Sequence, residues 1–282
     1  MSKVVDFHTH CFPDAIAPKA VTRLAAASRV APYTDGTAGG LSAAAREAGV
    51  DLSIVLPVAT SPGQIPSINR FAAALNEQTG ETGLLSFGGA HPDDPDWKAH
   101  LEQIVALGMN GVKIHPVYQG VDIDDARFVR LLSYAGELGL IVVTHAGDDI
   151  GFPGETRCSP TMIRRALRQA GPVALVLAHM GSWRQWDEVA EYLADTKVYL
   201  DTAFSTGIVP LTEGEPLRLL DEEGFLGLVR AFGPERVLFG TDSPWSGQRE
   251  SLDWLRALPL TDGEKADILG GNAMKLLQRG AS

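Results

Sequence analysis

Apolar and polar positions follow two alternating regimes along the 282-residue chain. Short apolar runs rich in Val, Ile and Leu recur near residues 3–8, 52–58, 84–88, 111–115, 140–145, 173–178, 197–201 and 236–240. Several are continuous rather than alternating, the pattern of parallel strands buried on both faces. Stretches with helical spacing separate them. The clearest spans residues 124–139, where Phe128, Leu131, Leu132, Ala135 and Leu138 share one face. Asp124 or Asp125 can cap its start and Gly139 can end it. Residues 97–107, 161–170 and 183–194 read similarly, and turns such as Ala170-Gly171-Pro172 and Phe232-Gly233-Pro234 return the chain to the next strand. Eight strands with helical crossovers predict a single-domain (β/α)8 TIM barrel over residues 1–282. A doubly wound open sheet is the alternative, but no Gly-x-Gly-x-x-Gly follows the first strand. Residues 10–50, rich in Ala and Gly, predict a helical insertion after strand one that lies partly over the barrel mouth.

Composition narrows the function classes. An apolar fraction of 45% is ample for a packed core. A net charge of −11 with no long basic run argues against nucleic acid as a partner. A small anionic substrate stays compatible, because a local metal outweighs distant surface charge. Two cysteines far apart, Cys11 and Cys158, do not make a disulfide framework, which suits a reducing cytoplasm. The absence of a signal-peptide core or membrane-length apolar run leads to an expectation of cytoplasmic location, with no membrane partner. A homodimer is compatible with the chain, though no interface can be read from it.

Histidine placement carries the chemistry. Six of the seven histidines follow or end an apolar run: His8, His10, His91, His115, His145 and His179. His8 and His10 form a His-x-His pair whose side chains share one face of a strand. In a barrel the C-terminal strand ends converge on one face, so His8, His10, His115, His145 and His179 would meet there with Asp242, which follows strand eight. Histidines with one carboxylate suit a divalent metal such as zinc. Simpler readings compete residue by residue. His145 and His179 could be hydrogen-bonded core histidines, and Asp242 could cap the Asp-Ser-Pro turn. His91 reads as a strand exit and His100 as a solvated helix face.

Taken in order, the motifs resemble the amidohydrolase superfamily, in the amidohydrolase-2 branch related to the aminocarboxymuconate-semialdehyde decarboxylases. They are His8-Thr9-His10, Gly111-Val112-Lys113-Ile114-His115-Pro116, Thr144-His145-Ala146-Gly147, Ala178-His179-Met180-Gly181 and Gly240-Thr241-Asp242-Ser243-Pro244, followed by the last helix near Asn272. The resemblance implies one metal, zinc with manganese as the alternative, held by His8, His10, His145 and Asp242. It also implies a catalytic proton-shuttling role for Asp242. His179 would orient the attacking water or stabilise developing charge. If Lys113 were carboxylated, as in binuclear relatives, two metals would bind, with His145 and His179 serving the second. Otherwise the Lys113 ammonium would meet a substrate carboxylate, or His115 would do substrate work beside a structural Lys113.

The long fifth loop offers Arg157 for a substrate carboxylate, or for pairing with Glu155 instead. Trp183, Arg184, Phe204 and Trp245 follow strands and could line the mouth or pack the loops. Metal-dependent hydrolysis of a small ester, lactone or amide is the leading expectation. A non-oxidative decarboxylase or hydratase acting on a small carboxylic acid is the alternative, and a non-catalytic metal-binding barrel comes third.

Overall fold

The computed structural model describes residues 3–279. Its barrel strands are β1 (Val5–Thr9), β2 (Leu52–Val55), β3 (Leu84–Ser86, resuming at Gly88–Gly89), β4 (Gly111–Ile114), β5 (Ile141–Thr144), β6 (Ala174–Leu177), β7 (Tyr199–Asp201) and β8 (Val237–Leu238). All neighbouring strands pair in parallel, from β1 through the two halves of β3 and on to β8. Closure comes from the Phe7 N–H, which donates to the Phe239 carbonyl at 2.7 Å, and from a parallel bridge between Thr9 and Ser243. The (β/α)8 barrel expected from the pattern is the observed architecture. None of the described helices is long and apolar enough to cross a membrane.

Two apolar layers hold the barrel. Val5, Phe7, Ile54, Phe87, Ile141, Val143, Val176 and Leu238 fill its interior, with Phe7 set edge-on against Phe87. Outside, Val112, Ile114, Val142, Leu175 and Leu177 pack against the helix ring. In that ring α5 (Ala126–Glu137) presents buried Phe128, Leu131, Leu132 and Ala135, and each large side chain buried this way contributes about 1.5–3 kcal/mol. Asp125 caps α5 by accepting from the Arg127 N–H at 2.9 Å, and Gly139 follows the helix at φ +71°.

Helices α4 (Trp97–Ala106) and α6 (Pro160–Ala170) lie close to their predicted bounds. The stretch expected to be helical from residue 183 begins only at α7 (Trp186–Leu193), because Trp183 is tied back to the fifth loop through its N–H to the Ala146 carbonyl at 2.8 Å. Between β1 and β2 the chain forms α1 (Ala17–Ser28) and α2 (Ala38–Ala48). The linker joining them meets the loop after β8, where the Tyr33 N–H donates to the Pro244 carbonyl at 2.7 Å.

Candidate metal centre

β1 carries the first candidate ligands. Phe7 points into the barrel core, whereas the Asp6 carboxylate accepts from Gln248 Nε2 at 2.8 Å and Thr241 Oγ1 at 2.6 Å. Strict alternation would send His8 the way of Asp6. A register irregularity between Asp6 and Thr9 re-aims the chain, and His8 meets Lys113, Asp201 and Asp242 at the mouth. Its Nδ1 lies 2.8 Å from Asp201 Oδ2, and His10 Nδ1 lies 2.8 Å from the Leu56 carbonyl. Both partners only accept, so both protons sit on Nδ1 and both Nε2 lone pairs are presented elsewhere.

Those lone pairs converge on Asp242 Oδ1, at 3.4 Å from His8 and 2.9 Å from His10. Lone pairs facing a carboxylate call for a proton or a cation between them. The edge of a tetrahedron with ligand bonds of about 2.1 Å is about 3.4 Å, so the spacing fits a divalent metal. Burial and the Lys113 charge push the His8 imidazole well below its usual range, which keeps it neutral and able to ligate. Burial pulls the Asp242 carboxyl upward, but the His10 contact and the electrostatic influence of the surrounding histidines outweigh it and hold Asp242 low. Lys113 is buried, its Nζ 3.3 Å from His8 Nε2. Burial lowers its pKa to about 8 against the opposing pull of Asp201 and Asp242.

His145, the fourth ligand expected from the motif pattern, contacts His179 and the fifth loop. Its Nδ1 lies 3.1 Å from His179 Nε2, and its Nε2 lies 3.0 Å from the Asp148 carbonyl. Among the described residues, one converging set of metal-capable atoms is His8, His10 and Asp242; a second is His115, His145 and Asp149. The rings of His115 and His145 stack at 4.2 Å, and His115 stacks in turn on Tyr118 at 4.0 Å. His179 is anchored by Nδ1 to the Ala203 carbonyl at 2.8 Å and by its N–H to Asp201 Oδ1 at 3.1 Å. His179 at φ +61° and Asp242 at φ +69° hold left-handed backbone that side chains seldom adopt, a feature that concentrates at functional sites.

The other candidates are placed as follows. Arg157 pairs with Asp122 Oδ1 at 3.1 Å and Glu155 Oε2 at 3.6 Å. Trp183 is buried, its indole N–H donating to the Phe204 carbonyl at 3.1 Å. Trp245 is half-buried and packs with Trp183 and Phe204 in one apolar cluster. His91 accepts from the Asp93 N–H, while His100 pairs with Asp94 at 2.6 Å instead of standing free in solvent. Two residues that sequence reasoning did not single out are central. Asp201 ends β7 and locks both His8 and His179; a carboxylate closing an apolar strand was its only signal. Asp149 sits in the fifth loop, where nothing in the sequence separates it from neighbouring Asp148.

A parallel eight-stranded barrel with histidines and a carboxylate at its C-terminal mouth defines a class of metal-site enzyme scaffold. The sequence profile of the family described as Amidohydrolase matches residues 5–279, and the chain belongs to that family. No curated protein matches it. Among solved structures, a TIM-barrel protein from Bordetella bronchiseptica is similar at 20% identity and TM-score 0.78, covering 99% of this chain and 100% of that one. The 5-carboxyvanillate decarboxylase of Sphingomonas paucimobilis is similar at 18% identity and TM-score 0.69, with 99% of both chains covered. A Pseudomonas putida protein provisionally named a 2-pyrone-4,6-dicarboxylic acid hydrolase is similar at 20% identity and TM-score 0.67, covering 99% of this chain and 98% of that one.

Proposed function

We propose that this protein is a metal-dependent hydrolase of a small-molecule ester, lactone or amide. The observation that carries this reading is the Asp242 carboxylate, kept ionised against two imidazoles whose Nε2 atoms face it. His8, His10 and Asp242 would hold a divalent metal, zinc first and manganese as the alternative. His145 would join as a fourth ligand only if its ring left the Asp148 carbonyl. When bound, such a metal supplies Lewis acidity and lowers the pKa of a water. Asp242 is the group placed to take a proton from the attacking water and return it to the leaving group. The Lys113 ammonium lies where negative charge on a substrate oxygen would be stabilised. His179 orients His145 through the contact between their rings. His115, Tyr118 and Phe152 form an aromatic flank for the substrate, with Trp245 on the loop after β8. The test is a panel of lactones, esters and amides offered to the metal-stripped and zinc-loaded protein. Zinc-dependent turnover is expected; none across a broad panel overturns the reading.

A second reading is the non-oxidative decarboxylation or hydration of a small carboxylic acid. One observation favours it: Lys113 is a buried cation beside His8, suited to a substrate carboxylate. Arg157 does not serve this role in the reading, because Asp122 and Glu155 occupy it. Carbon dioxide release from aromatic or unsaturated acids, without hydrolysis on the first panel, would establish the lyase in place of the hydrolase.

A further inference from the structure

We infer that the outer face of the barrel carries a binding groove for a small linear zwitterion, one with a carboxylate at one end, an ammonium at the other and an apolar chain between. The groove lies between α3 (Ile65–Asn76) and α4 and has a volume of about 360 Å3. None of its lining residues belongs to the barrel mouth, so it stands apart from the choice between hydrolysis and decarboxylation.

The sequence of α3 opens the groove. Asn69, Ala73 and Glu77 fall at four-residue spacing, with Arg70 and Ala74 on the adjoining row, so these side chains share one face. The small alanines at the middle of that face leave room between the helices. Gln103 of α4 and Leu107 just past its end form the opposite wall.

One end of the groove is rich in donors. Asn69 is 1% exposed. Its Oδ1 accepts from the Gly89 N–H at 2.9 Å, which fixes the amide against β3, and its Nδ2 has no partner. A buried donor left unpaired is costly, and a ligand oxygen in the groove would satisfy it. Arg70, one position on, is exposed and has no hydrogen-bond or ion-pair partner for its side chain among the described residues. Two neighbouring donor groups, one of them charged, suit a carboxylate.

The other end has the opposite sign. Glu77 caps the C-terminus of α3, is exposed, and has no side-chain partner among the described residues. A carboxylate there adds to the negative end of the helix dipole instead of offsetting it, so this end attracts a cation. Arg70 and Glu77 are seven positions apart, about 10 Å along the helix axis. An extended five-methylene chain with its two end groups spans about 8 Å. Such a chain would lie along Ala73, Ala74 and Leu107 with an end group within reach of each charge.

The probe is 6-aminohexanoate, with hexanoate and hexylamine carrying one end each, titrated against the full chain with its Ala and Leu methyls labelled for NMR. 6-Aminohexanoate is expected to shift the Ala73, Ala74 and Leu107 methyl signals saturably, with a Kd of about 1 mM or below. Arg70→Gln and Glu77→Gln are each expected to weaken it about tenfold. Hexanoate should respond only to the first substitution and hexylamine only to the second. Ala74→Trp fills the groove from an exposed position and should abolish the shifts. Absence of saturable shifts at these methyls by about 10 mM would overturn the site. So would unchanged binding in Ala74→Trp, or shifts confined to Ala146 and Ala203, which would put the ligand at the barrel mouth. Equal sensitivity of hexanoate and hexylamine to both charge variants would overturn the assignment of one charge to each end.

Discussion

The His8–His10–Asp242 and His115–His145–Asp149 clusters use the same residue types but are built differently. In the first, each imidazole is locked from behind by an acceptor at another strand end, Asp201 for His8 and the Leu56 carbonyl for His10. In the second, Asp149 comes from the long fifth loop, His145 alone is supported by His179, and the rings of His115 and His145 stack on each other. The fifth loop is held by the Gly147 N–H to the Cys158 carbonyl at 2.8 Å and by a backbone bridge from Gly147 to Trp183. Strand ends in a closed barrel are fixed by the whole sheet, whereas loop residues depend on local packing. The His8 and His10 rings are therefore held more firmly than the loop-borne Asp149 carboxylate.

The largest effect that would test this contrast is on turnover. If Asp242 serves as proposed, Asp242→Asn removes both the base and a ligand, and kcat/KM should fall by about 10²–10⁴-fold, while Asp125→Ala leaves it unchanged. Next comes the support of the first cluster. Asp201→Asn keeps the shape but loses the carboxylate behind His8, and zinc affinity at that centre should drop by about 10- to 100-fold. Unchanged zinc affinity in Asp201→Asn would show that His8 does not depend on the carboxylate behind it.

Gly147→Ala probes the loop. Gly147 sits at φ +88°, and an added Cβ would lie 2.2 Å from the Trp183 nitrogen. The substitution should cost about 1–3 kcal/mol in thermal unfolding and leave zinc binding by the His8–His10–Asp242 cluster unchanged. If zinc binding there weakened as well, the loop would not be a unit separate from the His8–His10–Asp242 cluster.

The smallest effect is a control outside both clusters. Hydrogen bonds from the Arg127 side chain and N–H lower the Asp125 pKa to about 2, below its unfolded value. The contribution of this group is therefore complete above about pH 4 and lost as the pH falls through about 2. Asp125→Ala should cost about 1 kcal/mol at neutral pH through the lost cap of α5. The difference from wild type should shrink in acid unfolding, and a difference that grew toward low pH would contradict the sign.

Much of this organisation was legible in the chain. The α5 helix could be read because its cap, its apolar stripe and its terminal glycine are all local. The meeting of His8, His10 and Asp242 could be anticipated because each follows an apolar strand, and a barrel brings such positions together. Arg157 could not be settled, because its partner Asp122 lies 35 positions away on another loop. Asp149 and Asp148 were indistinguishable in sequence, since only the turn at Gly151 aims one carboxylate at His115.

The sequence by itself therefore determined the barrel, the order of its strands and the residue types gathered at its mouth. Periodicity, caps and strand ends are short-range properties that each segment carries alone. Tertiary structure decided which way each side chain turned there. It set His8 against Asp201, 193 positions away, and turned His145 toward Asp148 and Asp149. Ring orientation depends on hydrogen-bond partners that meet only when the sheet closes, and no local pattern encodes that meeting.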